Sequence, residues 1–343
     1  MSERHEMATD PDAAKQTVAM VFAGGLGLAP YHAGVYEAFA TKGLSLHWLA
    51  GSSAGAVTAA IIAGNPETAR LARLHDFWRW PPLDHAEPPV LRHLYGWMAA
   101  VETRLVGRSG FFRPRAPDLD PFRFRSFYEL APMKERLKDL IDFRRLNDGE
   151  PRVSIAATDI ETGEPVIFDS HQTRLEMDHV LASCGLLPEF APVEIGGRLL
   201  GDGGLSLNAP FDPILNAQPD GDLLLYVVDL YARDGERPLS LEAAIERKND
   251  LLFGNQTFIR LCYLAEARAL RRKQTSGNAS EDRIVLLSYR PGLEEPGPEK
   301  SFDLSASAFA QRWTAGRLDM EYSDALQSDQ LITQVRRPAD RSR

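Results

Sequence analysis

The sequence predicts an α/β fold in which a central, mostly parallel sheet carries helices on both faces. Two observations lead there. Near the N-terminus two strand–turn–helix units follow one another: residues 17–23 run into Gly24-Gly25 and a helix from Pro30, and residues 47–50 run into Gly51-Ser52-Ser53-Ala54-Gly55 and a helix over 54–63. Successive βα units set their strands parallel and lay the intervening helices on the sheet. Further along, residues 223–230 (LLLYVVDL) are apolar without alternation, as a strand covered on both faces must be.

Each element has its own signal. Residues 1–16 are polar and charged and read as a disordered leader without an apolar signal segment. The strand over 17–23 is rich in β-branched and apolar residues and stops at the glycine pair. Pro30 suits a first helical position, and Tyr31, Gly34, Val35, Ala38 and Phe39 follow at helical spacing. A further amphipathic helix over 66–80 is stopped by Pro81-Pro82. Residues 81–128 then change character, with proline clusters, aromatics and arginines around a short helix at 90–105. They read as an insertion or lid, and equally as a surface segment with no gating role.

A helix over 133–143 is expected next. Strands over 152–158 and 164–168 form a hairpin through Glu161-Thr162-Gly163, and a short helix spans 177–184. The main domain is taken as 17–330, of which 231–330 forms a mainly helical C-terminal extension: a long helix over 239–272, a strand over 284–289 and an amphipathic helix over 305–326. Residues 331–343 are expected to be a frayed basic tail.

Composition narrows the function. With 39 basic against 48 acidic side chains the net charge is -9, the wrong sign for a nucleic-acid binder. Cys184 and Cys262 form neither a disulfide framework nor a zinc-type spacing, which fits a reducing compartment. The longest weakly polar run, 49–64, is too short for a membrane span and is interrupted by glycines and serines. A cytoplasmic protein is expected, with room left for peripheral contact with a membrane surface. No composition signal bears on oligomeric state.

Gly51-Ser52-Ser53-Ala54-Gly55 is a G-x-S-x-G turn, the sharp strand-to-helix bend that lifts a serine hydroxyl above the end of a sheet. An ordinary tight βα turn has the same appearance. A serine nucleophile needs a base, and every histidine lies at or before His179, so the order serine, acid, histidine of the α/β-hydrolases is not open to Ser53. Asp202, in Gly201-Asp202-Gly203-Gly204, offers a carboxylate instead, because flanking glycines permit close backbone approach. A Ser53–Asp202 dyad is expected; the competing reading is an Asp-Gly hairpin turn. Donors for an oxyanion are expected from the turn at Gly24, Gly25, Leu26 and Gly27, which precedes a helix. The same turn begins a dinucleotide fingerprint, but Pro30 stands where the third glycine belongs, so no nucleotide cofactor is expected. His32 reads as a packing histidine and Cys184 as core.

The glycine loop, G-S-S-A-G and D-G-G, in this order, resemble the patatin-like phospholipases and acyl hydrolases, over about 18–229. Tyr31-His32-x-Gly34-Val35 after the loop is similar to that family as well. The resemblance implies a patatin-like three-layer sandwich and a lipid acyl hydrolase that works through a Ser-Asp dyad and an acyl-enzyme, with no metal. Carried over by position, Ser53 matches the nucleophile, Asp202 its partner, and Gly24 and Gly25 the oxyanion loop. Two positions depart: aligned on Gly34-Val35, Leu26 and Leu28 stand where the family often has a third glycine and a basic residue. Leu28 is similar to a bacterial subgroup with an apolar residue there. Leu26 places a side chain where a glycine is usual, which makes a weakened oxyanion loop the point to check.

The expected partner is a lipid or other acyl-ester substrate. The alternatives are a catalytically degenerate patatin-like binding or scaffold protein, a short-chain or hydroxyalkanoate esterase, and an esterase whose triad uses His171 or His179.

Overall fold

The computed structural model describes residues 16–78, 92–116, 126–217, 221–235, 237–276, 282–290, 300–326 and 330–338. Nearly all of the expected leader, the end of the tail from 339, and residues 79–91 and 117–125, most of them within the expected 81–128 insertion, lie outside the described residues.

The first elements are β1 (Thr17–Phe22), α1 (Pro30–Ala40), β2 (Trp48–Ser52), α2 (Ala54–Ala63), α3 (Glu67–Trp78) and α4 (Arg92–Val106). Short strands β3 (Arg113–Pro114) and β4 (Tyr128–Glu129) pair apart from the main sheet, followed by α5 (Ala131–Leu140) and α6 (Phe143–Asp148). Then come β5 (Arg152–Asp159), β6 (Pro165–Asp169), α7 (Met177–Ser183), β7 (Val193–Ile195), β8 (Arg198–Asp202) and α8 (Asp212–Asn216). The chain continues through β9 (Leu223–Asp229), α9 (Leu241–Ser276), β10 (Arg283–Ser288), α10 (Ala306–Ala325) and β11 (Ile332–Val335).

Nine strands form the main sheet in the order β11-β10-β9-β1-β2-β5-β8-β7, with β6 on β5. Every pairing from β11 to β5 is parallel, and the pairings of β5 with β6 and β8 and of β7 with β8 are antiparallel. The mostly parallel sheet read from the βα repeats is therefore present. Strand β1 explains why both faces are covered: Val18, Met20 and Phe22 enter one core while Ala19 and Val21 enter the other. α1, α2 and α10 supply the first core, with Tyr31, Val57, Ile61 and Met320; α8 and α9 supply the second, with Ile214, Leu215, Leu261 and Ala265. The result is three layers.

Two expectations need correction. The frayed tail over 331–343 instead begins as β11, because the Ile-Thr-Gln-Val run buries Thr333 and Val335 in parallel register with β10. The helix over 133–143 is two helices. Ile141 turns extended, and Asp142 restarts the helix by accepting hydrogen bonds from the Arg144 and Arg145 amides. No described helix is long and apolar enough to cross a membrane.

Candidate active site

Strand register brings Ser53 and Asp202 together. β2 runs parallel to β5 and ends with Ser52 opposite Ala156, while β8 runs antiparallel and ends with Asp202 opposite Ala157. β6 occupies the other edge of β5, since Thr158 pairs with both Pro165 and Gly201. Two strands thus arrive on one edge from opposite directions and stop at neighbouring residues. The Ser53 hydroxyl and the Asp202 carboxylate meet at this junction, close enough for the hydroxyl to lower the pKa of the acid.

The turn at Ser53 is strained, with φ 54° and ψ -125°, a conformation that L-residues rarely adopt. Its surroundings hold it. The Ser53 amide donates to Ser183 Oγ at 2.8 Å, and that hydroxyl donates to the Ala156 carbonyl at 2.6 Å, so α7 ties the turn to β5. Gly55 lets the start of α2 sit on the end of β1, since a Cβ there would fall 2.0 Å from the Phe22 carbonyl oxygen. Asp202 is buried, and its Oδ1 accepts the Gly204 amide at 2.7 Å. Burial pushes its pKa up to about 6 against the opposing pull of the Ser53 hydroxyl and the Gly204 amide.

The glycine loop lies against the serine. A Cβ on Gly24 would stand 3.0 Å from Ser53 Cβ and 2.7 Å from Asn208 Oδ1, so only hydrogen fits. The Gly24 amide itself donates to the Asn208 carbonyl at 3.0 Å. This corrects the expectation that Gly24 is an oxyanion donor: its part is close approach. Leu28 and Ala29 donate back to the Gly25 and Leu26 carbonyls, whereas among the described residues nothing accepts from the amides of Gly25, Leu26 or Gly27. Leu26 has φ 49°, the left-handed region that a glycine there would favour. The leucine therefore follows a glycine-like path, held by packing of its partly buried side chain against the core.

These groups form one wall of a cavity of about 280 Å³. Its other walls are mainly apolar, with Val57, Phe77, Trp78, Phe111, Phe112 and Phe190 prominent. Part of the 81–128 segment is thus cavity wall. Sequence reading missed what the C-terminal extension adds: Tyr231, Phe253, Phe302 and Leu304 line the same space. It also missed Asn208, whose side chain donates to the Gly24 carbonyl at 3.4 Å, and Ser183. Cys184 both packs in the core and lines the cavity; burial, and then the Asp202 charge, raise its thiol pKa and keep it protonated.

No histidine lines the cavity among the described residues. His32 is wholly buried beside Phe22, and burial alone pushes its pKa down to about 3. His179 accepts the Glu176 amide at 2.9 Å in a capping box and lies edge-on to Phe168. His171 is exposed. Among the described residues, no group of three His, Cys, Asp or Glu side chains is placed to hold a metal ion.

Residues 20–215 match the family described as patatin-like phospholipase. That is more than half of the chain, and the protein belongs to this family. Among solved structures, VipD from Legionella pneumophila is similar with a TM-score of 0.42 and 13% identity, covering 89% of this chain and 66% of VipD. ExoU of the Pseudomonas aeruginosa type III secretion system, solved in complex with SpcU, is similar with a TM-score of 0.29 and 16% identity, covering 74% of this chain and 52% of that one. The chain spans under two thirds of the length of these proteins. No curated protein matches the sequence.

Proposed function

We propose that this chain is a serine acyl hydrolase that cleaves carboxylic esters of lipids through Ser53 and Asp202. The observation that supports it most is that strand register sets these two side chains side by side at the wall of one apolar cavity. A carboxylate near its ordinary pKa is a feeble base for a hydroxyl, and burial of Asp202 moves it toward the useful range.

Ser53 Oγ attacks the ester carbonyl while Asp202 takes its proton. The oxyanion that forms meets the amides of Gly25, Leu26 and Gly27, with the α2 N-terminus adding its dipole. Collapse breaks the carbon–oxygen bond to the alcohol, which leaves with the proton from Asp202, and the acyl group remains on Ser53. Asp202 then draws a proton from water, which attacks the acyl-enzyme and frees the acid. The aromatic walls suit an acyl chain, so phospholipids and other long-chain esters are the substrate class.

The test is a series of esters and glycerophospholipids of rising acyl length, with and without chelator. Rates are expected to rise with chain length, to ignore chelator, and to fall by at least about 10³-fold in Ser53→Ala and Asp202→Asn. A folded wild-type protein that hydrolyses none of them rejects the proposal.

A further inference from the structure

One face of α4 has an unusual composition for a surface helix. Leu94, Trp97, Met98, Val101 and Leu105 recur at positions i, i+3, i+4, i+7 and i+11, a stripe about 100° wide. In a soluble fold such a stripe turns inward. Here Leu94, Trp97, Met98 and Leu105 are 52%, 46%, 51% and 72% exposed, while the small residues Ala100 and Thr103 on the other side are buried. Large apolar side chains presented together at a surface mark an interaction site.

Two further observations identify the partner. Arg104 stands between the buried and exposed faces, lines the cavity, and lays its guanidinium 4.0 Å over the Phe302 ring. The helix that bears the stripe is therefore also cavity wall. Residues 94–115 carry Arg104, Arg108, Arg113 and Arg115 against Glu102, a local net charge of +3 in a chain of net charge -9. Arg113 shares its charge with Glu129, and the cationic excess remains. A tryptophan-containing apolar stripe on a helix that continues into an arginine-rich segment is the chemistry of a helix lying in a membrane interface, apolar side chains below the headgroups and nearby cations among anionic ones.

We propose that α4 docks the protein on an anionic lipid bilayer through Leu94, Trp97, Met98 and Leu105, placing the cavity wall at the lipid surface. The proposal rests on the hydrolase reading, which makes the bilayer a source of esters for the cavity.

The experiment sediments full-length Ser53→Ala protein, which cannot turn lipid over, with vesicles of phosphatidylcholine alone or doped with phosphatidylglycerol. Binding is expected with the anionic vesicles and weakens as salt rises. Adding Leu94→Ser, Trp97→Ser and Met98→Ser together lowers the affinity by at least about tenfold, while in the active background the same triple change leaves hydrolysis of a soluble short-chain ester within about twofold. As a milder probe, brominated phosphatidylcholine in the anionic vesicles quenches part of the tryptophan fluorescence, and Trp97→Phe removes that part.

Absence of binding to anionic vesicles, or undiminished binding by the triple variant, overturns the proposal. So does a stripe that instead pairs two copies of the chain, seen as dimerisation abolished by the triple change with vesicle binding intact. The two readings fail separately: lost vesicle binding with soluble-ester hydrolysis intact counts against the docking surface, and absent hydrolysis with vesicle binding intact counts against the hydrolase.

Discussion

The guanidinium of Arg312, wholly buried on α10, donates to the main-chain carbonyl of Gly27 at 2.7 Å. The same group also binds the Asp303 and Lys300 carbonyls at 2.7 and 2.8 Å, so the last helix of the domain anchors the exit of the glycine loop. Arg312→Lys keeps the charge but cannot reach all three acceptors. It is expected to lower kcat about tenfold with KM nearly unchanged, since the loop acts on the transition state. Arg312→Met leaves buried carbonyls unpaired and is expected to lose at least about 2 kcal/mol in a urea melt.

Asp202 sets an acid limb. With its pKa near 6 in the folded protein, the base is lost as pH falls through that value. A profile of kcat/KM against pH is expected to be level above about 7 and to drop tenfold per unit below 6.

The same burial makes Asp202 a stability liability. Its folded pKa lies above the ordinary carboxylate value of 3.8, so its favourable contribution is complete below that pH and is lost as pH rises through about 6. Asp202→Asn removes this dependence. The stability of the variant relative to wild type is expected to improve by about 2–3 kcal/mol between pH 4 and pH 8, measured by chemical denaturation, even as activity disappears.

Ser183 is a positioning residue. Ser183→Ala leaves the Ser53 amide and the Ala156 carbonyl without their shared partner and frees a strained turn. A loss of about 1–3 kcal/mol is expected, with kcat reduced more than KM is changed.

Leu26 tests the loop's backbone. Because φ is 49°, Leu26→Asn is expected to be tolerated, whereas β-branched Leu26→Ile costs about 1–2 kcal/mol in thermal or urea unfolding. Retention of activity within about threefold in Leu26→Gly is the expected sign that leucine already holds the glycine-like path.

Sequence reading reached what local turns encode. Ser53 and Asp202 each sit in a glycine-flanked turn that is visible within five residues, and the mostly parallel sheet follows from repeated βα units. Ser183, Asn208 and Arg312 were illegible for a shared reason: they act on the turn or the loop across contacts distant in sequence, and nothing near them in the chain names the partner. The break between α5 and α6 was legible in part, since Asp142 is a strong capping residue. The Gly24 error had another source. A glycine loop announces unpaired amides without saying which of them the fold has already used.

The most direct test of the central claim is labelling with a fluorophosphonate, followed by mass mapping of the adduct. One adduct on Ser53 is predicted, absent in Ser53→Ala and formed at least about 10³-fold more slowly in Asp202→Asn. A folded wild-type protein that stays unlabelled, or that carries its adduct on another residue, contradicts the account.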